Sequence, residues 1–169
     1  DKPFSDAQLL KSIRSAFMLD KVGGFLRVAS NLISIVDDDE SVRRTTKLLV
    51  ESFGYRAAVF ESAESFLKSS QLYETSCLVV DIQMLGMNGL QLQSQLAAEG
   101  HSIPVIFITA YGGKESRRQG VQAGAVAFLD KPFSDAQLLK SIRSAFMTTK
   151  IVSELIKSGF NRVYSFLDD

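Results

Sequence analysis

Residues 32–40 read LISIVDDDE, a short apolar run that breaks at once into three aspartates and a glutamate. A run of this length, rich in β-branched residues and ending in turn-forming carboxylates, predicts a buried strand with a polar carboxyl end. The pattern returns along the chain as YRAAVFES (55–62), SCLVVDIQ (76–83), IPVIFITA (103–110) and AVAFLDKP (125–132). Longer segments of helical period lie between these runs. DESVRRTTKLLVESFGY opens on carboxylates suited to a helix start and closes on Gly54, while NGLQLQSQLAAEG and GKESRRQGVQAG end on Gly100 and Gly124. In the closing segment SDAQLLKSIRSAF, Ser134 is the expected N-cap, with Leu138, Leu139, Ile142 and Phe146 on one apolar face.

Strands alternating with helices predict an α/β fold with a doubly wound parallel sheet. The usual order for five strands is 2-1-3-4-5, with right-handed crossovers and a ligand crevice beyond the strands' carboxyl ends. That topology gathers Asp37, Asp38, Asp39 and Glu40 from strand one, Asp81 from strand three, Thr109 from strand four and Lys131 from strand five. Singly, each has an ordinary reading as helix cap, turn, backbone partner or solvated charge. Together, converging carboxylates repel one another unless a cation neutralises them, and Mg²⁺ suits their oxygen donors. Asp38, Asp81 and a backbone carbonyl just after Asp81 fit that ion. Asp81 then has the chemistry of a phosphoryl acceptor, with Lys131 and Thr109 placed to meet phosphoryl oxygens.

The set IVDDDES, VVDIQMLGMNG, VIFITA and FLDKPF resembles the receiver domain of bacterial two-component response regulators over residues 32–147. The resemblance implies a flavodoxin-like fold and Mg²⁺ held by Asp37, Asp38, Asp81 and the backbone of Gln83. It implies phosphorylation of Asp81 by a histidine kinase or phosphotransfer protein, with Lys131 contacting the phosphate. Thr109 becomes the switch hydroxyl and Phe128 the aromatic that turns inward, and the Lys131–Pro132 bond is expected to be cis. Catalysis would be limited to Mg²⁺-dependent self-phosphorylation and autodephosphorylation. Two positions depart from the family pattern: Leu85 stands where proline is usual, and Phe128 where tyrosine is commoner. A phosphatase-like hydrolase using Asp37 and Asp39 is a weaker reading, since no further general acid accompanies that pair.

The 169 residues contain 46% apolar and 22% charged side chains, with 19 basic against 19 acidic. That balance excludes a disordered chain and a general polyanion binder. The Arg43, Arg44, Arg117 and Arg118 pairs read as solvated helix faces, and no nucleic-acid partner is expected. His101, the only histidine, reads as solvated. Cys77 reads as a buried thiol, which favours a cytoplasmic setting, and no run approaches the roughly 20 apolar residues of a membrane span.

Residues 1–18, DKPFSDAQLLKSIRSAFM, recur unchanged at 130–147. The expected organisation is a duplicated fifth-helix segment with a linker or strand (1–31), the receiver-like domain (32–147), and a helix, a stop at Gly159 and a strand (148–169). Two identical helices compete for one seat, so one must dock elsewhere, exchange with a second chain to form a homodimer, or stay loose. An untouched repeat of this length reads as an engineered rearrangement. An assembly scaffold with signalling lost is accordingly the alternative function.

Overall fold

The structure, a computed structural model, describes residues 31–164, and the side chains of residues 31–152 and Glu154. The expected strands form as β1 (Leu32–Val36), β2 (Arg56–Phe60), β3 (Thr75–Asp81), β4 (Val105–Thr109) and β5 (Ala127–Asp130). All pairings are parallel and the order is β2-β1-β3-β4-β5, as the alternating pattern predicts. The helices are α1 (Glu40–Ser52), α2 (Ala63–Leu67), α3 (Gly89–Ala98), α4 (Lys114–Gln122) and α5 (Asp135–Tyr164). The crossover from β2 to β3 is made by the five-residue α2 and a 3-10 turn at Ser70–Glu74.

Alternation along the central strands divides the core. Ile33, Ile35, Cys77 and Val79 point to the side covered by α1 and α5, where they meet Val50, Leu138 and Ile142. Leu78, Val80 and Phe107 point to the other side, against Phe66 of α2 and Leu92 and Leu96 of α3. Both faces of β1, β3 and β4 are therefore dry, which is why these strands read as continuous apolar runs.

Gly54 and Gly100 follow their helices at φ of 86° and 81°, the left-handed backbone that suits glycine beyond a helix end. Ser134 caps α5 as expected: its hydroxyl accepts from the Gln137 N–H at 3.2 Å, and the Gln137 side chain accepts from the Ser134 N–H at 2.8 Å.

The expected stop at Gly159 is absent. α5 runs unbroken through Met147 and Gly159 to Tyr164, because a lone glycine lowers helix stability by only about 1 kcal/mol and does not remove the helical hydrogen bonds. The strand expected after it, and the first copy of the repeat with the segment GGFLRVASN, lie outside the described residues. Among the described residues no helix is long and apolar enough to cross a membrane.

Candidate functional site

The carboxyl edge of the sheet brings the predicted residues together. Asp37 leaves the end of β1 fully buried, and Asp81 ends β3 at 6% exposure. Lys131, just beyond β5, donates from Nζ to Asp37 Oδ2 at 2.8 Å and to Asp81 Oδ2 at 2.6 Å. The other oxygens of these carboxylates accept backbone N–H groups: Asp39 N to Asp37 Oδ1 at 2.9 Å, and Gln83 N to Asp81 Oδ1 at 2.8 Å. Asp38 is exposed beside them, and its Oδ2 accepts the Leu85 N–H at 3.1 Å.

One carboxylate oxygen from each of Asp37, Asp38 and Asp81 lies within 4.8 Å of the others. Among the described residues three carboxylates face a single ammonium, so the ionised cluster keeps two uncompensated negative charges. Burial raises the pKa of Asp37 above the ordinary carboxylate value, against the opposing effect of the Lys131 hydrogen bond. For Lys131, burial alone acts to lower the pKa, yet the hydrogen bonds and charges of Asp37 and Asp81 outweigh it and leave the ammonium raised. A divalent cation fits this donor set. All donors are hard oxygens, and oxygens bound cis and trans on Mg²⁺ are about 3 and 4 Å apart, close to the spacing present. Asp37, Asp38 and Asp81 are the residues that would hold it.

Asp39 does not join the cluster. Its carboxylate caps α1, accepting from Ser41 N at 2.8 Å and Val42 N at 3.1 Å, so the hydrolase reading that paired it with Asp37 loses its second acid. Thr109 is buried at the end of β4, where its hydroxyl oxygen accepts the Tyr111 N–H at 3.2 Å. Phe128 is half-buried on β5, with its ring 5.2 Å from Phe107. The Lys131–Pro132 bond is cis, as expected.

Three readings made from the sequence need correction. Arg43 is half-buried and donates to the Asp37 carbonyl at 2.7 Å, because helical spacing from the cap turns it back over the end of β1. Arg117 is also more than a solvated charge: it pairs with Asp130 at 2.5 Å and lies 5.6 Å from the Phe128 ring centroid. His101 is half-buried with its ring 5.7 Å from Tyr73, since the turn after α3 folds it onto the 3-10 turn that precedes β3.

Sequence reading also missed two contributors. A Cβ at Gly89 would lie 2.4 Å from the Asp81 carbonyl oxygen, so only glycine lets α3 begin this close to β3. The pair Asn88–Gly89 signalled a helix start but not this approach. Glu64 of α2 accepts the Met87 N–H at 3.0 Å and ties down the loop after Asp81; nothing in its local sequence marks it.

The fold and site define a class of doubly wound α/β domain with an acidic pocket at the carboxyl edge of its sheet. Residues 33–143 match the family model described as the response regulator receiver domain, and the chain belongs to that family. The response regulator protein TmoT of Ectopseudomonas mendocina is 40% identical over 115 residues, 68% of this chain and 52% of that protein. Nodulation protein W of Bradyrhizobium diazoefficiens is 40% identical over 114 residues, 68% and 50% respectively. The chain spans about half the length of the curated relatives it matches. Among solved structures, FixJ-N superposes with a TM-score of 0.62 at 33% identity, covering 68% of this chain and 91% of its own. Response regulator StyR gives 0.68 at 34% identity, covering 79% and 69%. Receiver domains take phosphate on an aspartate, bind Mg²⁺ at an acidic pocket and interact with histidine kinases or phosphotransfer partners.

Proposed function

We propose that this chain is a phosphoacceptor switch in the cytoplasm in which Asp81 takes a phosphoryl group from a histidine kinase or phosphotransfer protein. The observation that carries the reading is Lys131 bridging the buried carboxylates of Asp37 and Asp81, with Asp38 alongside. An Asp81 carboxylate oxygen attacks phosphorus, the phosphorus–nitrogen bond of the donor phosphohistidine breaks, and the imidazole nitrogen keeps the electron pair and takes a proton. Asp37, Asp38 and Asp81, with the Gln83 carbonyl, would hold Mg²⁺, which when bound supplies positive charge opposite the phosphoryl oxygens. The Lys131 ammonium is already at Asp81 Oδ2 and can turn its donors to the phosphoryl group. The Thr109 hydroxyl accepts from Tyr111, so its own proton serves a phosphoryl oxygen. Drawing Thr109 inward opens space into which Phe128 turns, and the face of α4, β5 and α5 carries the change to a partner.

The test is incubation with acetyl phosphate and Mg²⁺. We expect one phosphate on the parent chain and none on Asp81→Asn or in EDTA. No label on the parent, or undiminished label on Asp81→Asn, would overturn the reading. The unchanged repeat supports a second reading, an engineered assembly scaffold of chains that exchange helix segments. That reading expects an unphosphorylated homodimer, which the same assay and light scattering separate from a phosphorylated monomer.

A further inference from the structure

The chain carries two copies of the segment that closes its sheet, and the structure shows what one copy needs in order to dock. In residues 130–147, Leu138, Ile142 and Ala145 are fully buried and the Phe146 ring stacks on Tyr55 at 5.3 Å and 4°. Lys131 completes the acidic cluster. The counterparts in residues 1–18 are Leu9, Ile13, Ala16, Phe17 and Lys2.

We propose that residues 1–18 are an alternative occupant of the α5 seat within the same chain, exchanging with residues 130–147. Identical sequences make identical contacts in one seat, so those contacts cancel and the connections alone set the preference. The connections permit the exchange. The far end of the seat is at Phe146, on Tyr55; the next residue, Arg56, pairs with Leu32 and donates its N–H to the Asn31 carbonyl at 3.1 Å. A helix seated there through residue 18 thus ends beside the start of β1. Leu19–Asn31 has 13 residues, with an extended reach of about 45 Å, several times the gap left by those contacts.

A short tether also gives the chain's own copy an effective concentration in the millimolar range, above that of a second chain in dilute solution. Against this, residues 130–147 follow directly from β5, and loop closure disfavours the tethered copy, with a penalty that grows only slowly with length. Two consequences follow. The acidic cluster keeps an ammonium in either arrangement, from Lys131 or from Lys2. The long helix does not hold its place in both: when residues 1–18 are seated, residues 130–147 leave the sheet, so the repeat couples release of that helix to the receiver fold.

The test uses thermal melts of the full chain. Ile13→Asp alone should leave the melt unchanged. Ile142→Asp alone should keep a cooperative melt within about 10 °C of the parent, because the first copy takes the seat, whereas the double variant should fall by about 15 °C or more or lose its transition. If Ile142→Asp alone falls as far as the double variant, the proposal is overturned. A second measurement covers misfolding: a short bismaleimide applied to Tyr55→Cys/Phe17→Cys should link at monomer mass, as it does in Tyr55→Cys/Phe146→Cys. A covalent dimer, or no link where the second pair links, overturns the proposal. Neither readout involves phosphate, so each stands apart from the role of Asp81.

Discussion

Strands β1 and β3 carry two buried polar clusters, built on opposite principles. Toward the start of β3, the Ser34 and Thr75 hydroxyls are 2.7 Å apart, and Thr75 Oγ1 donates to the Gln71 carbonyl at 2.7 Å. Thr75 has one hydroxyl proton, so Ser34 is the donor between them, and the cluster is neutral and closed. At the other end of the same strands, Asp37 and Asp81 share one lysine and face Asp38, and negative charge is left over. A fold gains nothing from surplus buried charge, which burial penalises. The closed cluster is structural; the unbalanced one has the donor set that fits a cation.

That contrast can be broken or sharpened by experiment. The largest effect is expected from Gly89→Ala, whose new methyl meets the Asp81 carbonyl backbone: we expect a loss of about 3 kcal/mol in urea unfolding, since overpacking against backbone cannot be relieved by a rotamer change. Mg²⁺ should raise stability by about 2.7 kcal/mol at 100 times its Kd, with reversal by EDTA, because it selects the folded cluster. An unchanged melt in Mg²⁺ would remove the difference between the two clusters.

In the neutral cluster, Thr75→Val should cost about 2 kcal/mol by leaving Ser34 without its acceptor, and adding Ser34→Ala should recover most of it. A double-mutant cycle with no coupling would show that the hydroxyl pair is incidental. The smallest effect concerns Cys77, whose thiol burial pushes up to about 12 from 9.0. Its folded pKa is raised, so the contribution is intact below pH 9 and is lost as pH rises toward 12. At pH 10 the loss is about 1.4 kcal/mol, and Cys77→Ala should flatten that part of the pH profile.

Local pattern carried far in this chain. Apolar runs that end in a polar residue identified all five strands, and the alternation of strands with helices then implied the order that gathers Asp37, Asp81, Thr109 and Lys131 at one edge. Arg43 and Arg117 escaped because a charged residue on a helix looks the same whether it faces water or folds back onto a strand end. Glu64 escaped because its partner, Met87, lies 23 residues away across a crossover.

Strand identity, helix starts and the chemical kind of the site are therefore properties of residue type and spacing, which act over a few neighbours. Tertiary packing alone decided that Asp37 and Asp81 share Lys131 and that Gly89 must lack a side chain. Each of those depends on atoms that meet only after the sheet is wound.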